Sequence, residues 1–253
     1  MSQKTAPAGD SASGTQTSRA VMELRALIVS GAMQPGERYT EVLLADRLGM
    51  SRTPIRAAVQ QLREEALIET LASGGFTVRG FFPQEIAEAI EIRGCIEGLA
   101  ARLMAERGAP EAALRPLDRV LDGIDPVLAA PAFGPAQVTR YSELNAEFHA
   151  GLIAATESAL IAQEAQRANA RPFAAASALV QLNGNSEAAR HHLIVAQDQH
   201  RAIMEAIRAR EGGRVEAILR EHARLSQRNL TRALRRQEPL DGLPGASLIR
   251  RSA

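Results

Sequence analysis

The sequence predicts a mainly α protein: an N-terminal winged helix-turn-helix with a small β-hairpin wing, followed by an all-α antiparallel bundle of six to seven helices. Three observations carry this. Residues 43–62 read as helix, glycine turn and second helix. Two short β-rich runs then flank Ser73-Gly74-Gly75. Beyond Phe81-Phe82-Pro83 only helical periodicities occur, as far as about residue 236. A chain of 253 residues suits two domains at roughly 100 to 200 residues each.

Composition narrows the function. Hydrophobic residues make up 45% and charged residues 23%, with aromatics at 3% and no Trp, an ordinary helix-rich soluble balance. The net charge is +1, so any nucleic-acid binding must rest on local placement of arginine. Lys4 is the sole lysine. The single cysteine, Cys95, excludes an internal disulfide and fits a reducing cytoplasm. No apolar run is long enough to span a membrane, and no signal-peptide pattern is present.

In chain order, residues 1–17 are rich in Ser, Ala, Gly and Thr without periodicity and read as a disordered tail. From residue 18 the stripe Val21, Leu24, Leu27, Ile28 marks a helix that ends at Gly31 and is closed by Pro35-Gly36. The next helix carries Val42, Leu44, Ala45 and Leu48 as its apolar stripe, with Gly49 suited to positive φ at its end. Ser51 or Thr53 can cap the helix after the turn, and Pro54 suits its first turn. Ile55, Val59 and Leu62 form the buried side of that helix. This leaves Arg52, Thr53 and Arg56 at its exposed N-terminal end, the part of a recognition helix that meets base edges in the major groove. Runs 67–71 and 76–79 make the hairpin, whose tip glycines, Gly74 and Gly75, allow close backbone approach to DNA. The winged domain spans 18–80, and 81–83 form a linker.

The bundle spans 84–236. Helix 84–107 carries Ile86, Ile90, Ile96, Leu99 and Leu103, and a shorter helix covers 111–121. A Pro/Ala/Gly-rich loop at 125–135 precedes a helix over 137–155. Segment 158–182 must break or kink at Pro172. Helices 186–210 and 214–236, separated by Gly212-Gly213, complete a bundle able to hold a ligand. Residues 237–253 read as a loose tail.

Three of the five histidines fall on inward helix faces. Asn145 and His149 share a face one turn apart; Ile203 and Ile207 mark the buried side of His200, and Ile218, Leu219 and Leu225 that of His222. Three imidazoles and one amide oxygen suit Zn²⁺, Ni²⁺ or another late divalent ion. The adjacent His191 and His192 read as surface residues. Arg93 has two readings: an intrahelical pair with Glu97, or a buried guanidinium offered to a carboxylate ligand. A metal-dependent hydrolase built on the three histidines is the rival function, but no general base stands at convincing spacing, since Glu147 and Glu221 point elsewhere on their helices. A purely structural metal is a third reading.

The N-terminal half resembles the GntR family of bacterial transcription regulators in Ser30-Gly31, Pro35-Gly36-Glu37, Leu44-Ala45, Leu48-Gly49, Leu62, Gly74-Gly75 and above all Ser51-Arg52-Thr53-Pro54-Ile55-Arg56. The C-terminal half resembles the helical effector domain of its FadR subfamily in Leu144-Asn145-Ala146-Glu147-Phe148-His149, Gln199-His200-Arg201-Ala202-Ile203 and Glu221-His222. The resemblance covers about residues 18–235. It implies a metal at the positions of Asn145, His149, His200 and His222, although the family most often has Asp at the first of these. It also implies a small carboxylate effector met by the arginine that Arg93 matches, and DNA contacts from Arg52, Thr53, Arg56 and the wing glycine. In the fatty-acid-responsive branch an arginine on the preceding helix also touches DNA; Val42 occupies that place, so this contact should be missing. The stretch Arg171-Pro172-Phe173-Ala174-Ala175-Ala176-Ser177-Ala178-Leu179 is similar to repressors of vanillate and hydroxycinnamate catabolism, which implies an aromatic acid or related metabolite as effector. The resulting expectation is a homodimeric repressor on a palindromic operator, released by its effector and not an enzyme.

Overall fold

The computed structural model describes residues 10–180, 182, 187–236, 240 and 243–250. The chain divides into two compact units, Met1–Phe81 with Pro244–Arg250, and Phe82–Leu243 with Arg251–Ala253.

The first unit holds α1 (Asp10–Val29), α2 (Glu41–Leu48), α3 (Arg52–Glu64), β1 (Ile68–Thr70) and β2 (Phe76–Val78). Helix α1 begins at Asp10, so residues 10–17 are helical where a disordered tail was expected; residues 1–9 lie outside the described ones. Thr40 caps α2 by accepting from Leu43 N, and Gly49 ends it at φ 61°, the left-handed conformation expected of a C-terminal glycine. Leu44 and Ala45 are buried as the stripe requires, but Val42 is 58% exposed and does not belong to it. Ser51 occupies the N-cap of α3 without a side-chain bond to the helix, so the expected cap is positional only. Ile55, Val59 and Leu62 are buried. Strands β1 and β2 pair antiparallel, Glu69 opposite Thr77, and Tyr39 extends the pair by exchanging backbone bonds with Phe76 at 2.7 and 3.0 Å.

The C-terminal segment is not loose where it is described. Gly245 N donates to Val29 O, Phe81 N to Leu248 O and Arg250 N to Phe81 O, with Leu248 and Ile249 buried. These apolar residues give the last turn a place in the core of the first unit.

The second unit contains α4 (Pro83–Arg107), α5 (Glu111–Ala129), α6 (Pro135–Ala154), α7 (Ala159–Asn169), α8 (Glu187–Arg208) and α9 (Gly212–Arg235). Helix α5 runs through Pro126, so the expected 125–135 loop is shorter; buried Ile124 and Leu128 offset the backbone bond that proline forfeits. Helix α7 stops at Asn169, ahead of Pro172, and turns follow to residue 180. One core joins residues of α4, α5, α6, α8 and α9, among them Met104, Leu121, Phe148, Ile203 and Leu219. Helices α4 and α9 approach so closely that a Cβ at Gly94 would stand 2.8 Å from Ala223 Cβ, and one at Gly98 3.2 Å from the Glu216 backbone.

Candidate DNA-reading helix and buried histidine centre

At the N-terminal end of α3, Arg52, Thr53 and Arg56 are all exposed. The two arginines stand on one face and share a carboxylate. Glu41, at the start of α2, lies 3.2 Å from Arg56 Nε and 3.7 Å from Arg52 Nη2. An exposed pair of this kind contributes about 0 to 1 kcal/mol, so it orients the guanidiniums more than it holds the fold. Gly74 and Gly75 form the wing tip at φ 83° and 79°.

In the second unit the three histidines converge, with one ligand atom of each inside a 4.8 Å group. His222 Nε2 lies 3.2 Å from His200 Nε2 and 3.3 Å from His149 Nε2. All three rings are buried. The opposite ring nitrogens of His200 and His222 meet amide oxygens, and that of His149 stands near a carboxylate without a hydrogen bond to it. His200 Nδ1 is 3.2 Å from Gln197 Oε1, His222 Nδ1 is 3.1 Å from Gln199 Oε1, and His149 Nδ1 is 3.2 Å from Glu97 Oε2.

The Gln197 amide is oriented independently, because its nitrogen donates to Leu121 O at 3.0 Å and to Asp125 Oδ1 at 2.7 Å. Its oxygen therefore faces His200, which must carry its proton on Nδ1. Burial first, then His149 and Arg201, hold His200 well below the ordinary imidazole range. Burial, His200, His149 and Arg93 do the same to His222. With its proton on Nδ1, His200 turns its Nε2 lone pair toward His222 Nε2, and His149 Nε2 stands on the other side of that nitrogen, so three imidazole nitrogens lie within reach of one cation. The donor set thus fits a late divalent ion.

Arg93 and Glu97 are both buried and pair at 3.0 Å. The intrahelical reading is correct for Arg93, and the guanidinium is also buried beside the histidine centre as the ligand reading required. Burial raises the Glu97 pKa, but Arg93 and then His149 outweigh it and bring it down to about 2. Arg93 Nε, Glu97 Oε1 and His149 Nδ1 have no hydrogen-bond partner among the described residues. Asn145 is buried one turn before His149 and lines a cavity with His222, Tyr141 and His192. His192 is not the surface residue expected: it is half-buried, and its Nε2 lies 3.1 Å from Leu225 O. The cavity measures about 30 Å³, room for about one or two waters and not for an aromatic ring.

Three residues that orient the histidines were not singled out as site residues. Glu97 and Gln197 carried a signal, standing at helical spacing from Arg93 and His200. Gln199 stood in the stretch that resembles the effector domain, but its contact with His222 comes from the neighbouring helix and no spacing reveals it.

Two families match the chain: the bacterial regulatory proteins of the gntR family over residues 16–78, and the FCD domain over residues 88–225. An uncharacterized HTH-type transcriptional regulator of Agrobacterium vitis is 36% identical over 104 residues, 41% of this chain and 61% of its own. The uncharacterized HTH-type regulator YdhC of Bacillus subtilis is 30% identical over 131 residues, 52% of this chain and 56% of its own. The matches thus span less than two thirds of those relatives. The HTH-type transcriptional repressor GlaR of Escherichia coli is 24% identical over 195 residues, 77% of this chain and 86% of its own. Among solved structures, Escherichia coli McbR/YncC superposes with TM-score 0.61 at 20% identity, covering 88% of this chain and 99% of that one, which is a likeness of fold. No described helix is long and apolar enough to cross a membrane. With the FCD match spanning half the chain behind a gntR-type winged helix, this chain belongs to the gntR family of bacterial regulatory proteins, in its FadR-like branch.

Proposed function

We propose that the protein is a ligand-responsive DNA-binding transcription regulator, working as a repressor that binds a palindromic operator as a homodimer. The observation that carries this reading is the exposed group Arg52, Thr53 and Arg56 at the start of α3, ahead of a glycine-tipped wing. That placement suits base edges of the major groove, where a bidentate arginine–guanine contact discriminates by about 1 to 3 kcal/mol. The dimer is supported by apolar side chains left uncovered on packed helices of the second unit, Ile92 at 40% and Leu99 at 37% on α4 and Leu160 at 68% on α7, positions that a second copy would cover.

His149, His200 and His222 would hold Zn²⁺ or another late divalent ion, with Asn145 as the fourth protein candidate. The ion would supply a Lewis-acidic position for a small carboxylate, and Arg93 a nearby positive charge. Two features limit that chemistry in the present conformation. Glu97 already pairs with Arg93, and the cavity has no room for an aromatic acid. Effector release of DNA therefore requires an opened bundle, and an effector acts only through its differential affinity for the two arrangements. The small cavity favours a second reading, in which the metal is structural and no effector enters.

The test takes duplexes enriched from a random library on the wild-type protein and measures binding by fluorescence anisotropy. Arg56→Ala should lose about 1 to 3 kcal/mol on the enriched duplex and relax one base position; equal binding by wild type and variant removes the assignment. Small carboxylates, aromatic acids included, are then added. Release of the duplex by none of them, with metal removal unfolding the second unit, selects the structural-metal reading.

A further inference from the structure

We propose that Arg38, in the segment preceding α2, is the residue through which the wing grips DNA, by a bidentate contact to a backbone phosphate. The inference rests on the DNA-binding reading above and adds a residue to it. Residues 67–78 contain no arginine or lysine, and their one charged side chain, Glu69, is exposed on β1. Arg79, at the base of the hairpin, is half-buried and lies over the Phe81 ring at 5.1 Å, so the tip itself has no cation of its own to meet a phosphate unless a neighbouring element supplies one.

The neighbouring element is the segment ending at Tyr39. Tyr39 exchanges backbone hydrogen bonds with Phe76 and is itself buried, so alternation turns the preceding residue outward. Arg38 is exposed, and its Nε donates to Gly74 O at 2.9 Å. The side chain is thereby laid along the wing tip. One tip glycine, Gly75, has an intramolecular reason that points to the same segment. A Cβ on Gly75 would come within 2.5 Å of Tyr39 O, and one on Gly74 would stand 3.8 Å from Arg38 Nη2. Glycine at 75 lets the 38–39 backbone lie close against the hairpin, whereas at 74 a Cβ would make only ordinary contact and glycine serves the positive φ.

Charge separates Arg38 from the arginines of α3. Arg52 and Arg56 share Glu41, and the adjacent Glu37 is engaged by the Tyr39 hydroxyl, which donates to it. Arg38 has no carboxylate partner among the described residues. With Nε committed to a carbonyl, the two terminal nitrogens keep the fork geometry that matches two oxygens of a phosphate. Holding the guanidinium in place before binding lowers the ordering cost of that contact.

The experiment compares the full wild-type chain with Arg38→Gln and Arg38→Lys. It uses the library-enriched duplex and a random-sequence duplex of equal length, followed by anisotropy across a salt series. For each lost phosphate contact the slope of log K against log salt falls by about 0.9. Arg38→Gln should show that fall on both duplexes alike with the enriched sequence preference retained, and Arg38→Lys should keep the wild-type slope. An unmoved slope in Arg38→Gln overturns the proposal, as does a slope lost equally in Arg38→Lys, which would mean that the Gly74 bond only positions the wing. A changed sequence preference at constant slope overturns it in favour of base reading. Failure of the wild-type chain to bind either duplex overturns the DNA-binding reading and this assignment together; wild-type binding with an unmoved Arg38→Gln slope overturns this assignment alone.

Discussion

Replacing Gln197 with Met tests the histidine centre at a residue that fixes the tautomer of His200 without being one of the candidate ligands. The wild-type amide accepts from His200 Nδ1 at 3.2 Å while its nitrogen is tied to Leu121 O and Asp125 Oδ1 of α5. Met is unbranched and of similar length, so it fills the space and forms helix well, but it offers His200 no strong acceptor. His200 is fully buried, and a buried donor left without a partner costs about 1 to 3 kcal/mol. The ring can escape that cost by moving its proton to Nε2, which removes the lone pair a metal needs. Loss of such an orienting partner weakens metal affinity about 10- to 100-fold, equivalent to about 1.4 to 2.7 kcal/mol. The assay is Zn²⁺ competition against a chromophoric chelator at neutral pH, with thermal unfolding in excess EDTA run alongside to measure the metal-free fold. A Kd for Zn²⁺ within twofold of wild type, in a variant that folds, would refute the argument that Gln197 fixes the tautomer.

Arg93→Met leaves the Glu97 carboxylate buried without its guanidinium and should destabilise the second unit by about 3 to 5 kcal/mol at neutral pH. Glu97 has a depressed pKa of about 2, so its contribution is present above the ordinary carboxylate value and is lost as pH falls toward about 2. The gap between wild type and variant, followed by urea denaturation, should therefore narrow below about pH 4.5, and a constant gap would contradict the pairing. For the metal-free protein, His200 and His222 are held neutral well below the usual imidazole value, so stability is full above about pH 6.5 and falls as the unfolded chain takes up protons. The loss approaches about 1.4 kcal/mol per pH unit for each histidine, and denaturation in EDTA at a series of pH values between neutral and about 5 would show a flat profile if the rings were solvated. Gly94→Leu inserts side-chain atoms where even a Cβ meets Ala223 at 2.8 Å and should cost about 1 to 3 kcal/mol through overpacking. Gly213→Ala, with no atom of the described residues within 4 Å of the added Cβ, should instead gain up to about 1 kcal/mol; equal melting shifts for the two would dissociate Gly94 from the α4–α9 approach.

Local pattern made much of this protein legible. The helix pair around Gly49, the hairpin around Gly74-Gly75 and the long helices of the bundle each follow from apolar spacing and end signals a few residues apart. What escaped depends on contacts between distant segments. Val42 fits an apolar stripe by spacing, yet the neighbouring elements leave it uncovered. Leu248 and Ile249 sit in a Pro/Gly-bearing tail, and their partner, Phe81, lies at the far end of the second unit's sequence. Tyr39 gives no strand signal of its own and becomes one only beside Phe76.

The histidine centre shows the same division at finer scale. Inward helix faces were enough to group His149, His200 and His222, because each ring lies on the apolar side of its own helix. The groups that face their Nδ1 atoms belong mostly to other helices: Glu97 of α4 for His149 of α6, Gln199 of α8 for His222 of α9, and for His200 a glutamine anchored to α5. A cation drawing on all three lone pairs would therefore tie together five helices of the bundle. Any ligand that alters the packing of one of them would be felt at the ion, and replacement of the ion would be felt at each helix. That reciprocity is a thermodynamic requirement of coupled sites, so an effector that loosens α4 or α9 must lower metal affinity by the same factor by which metal lowers the effector's.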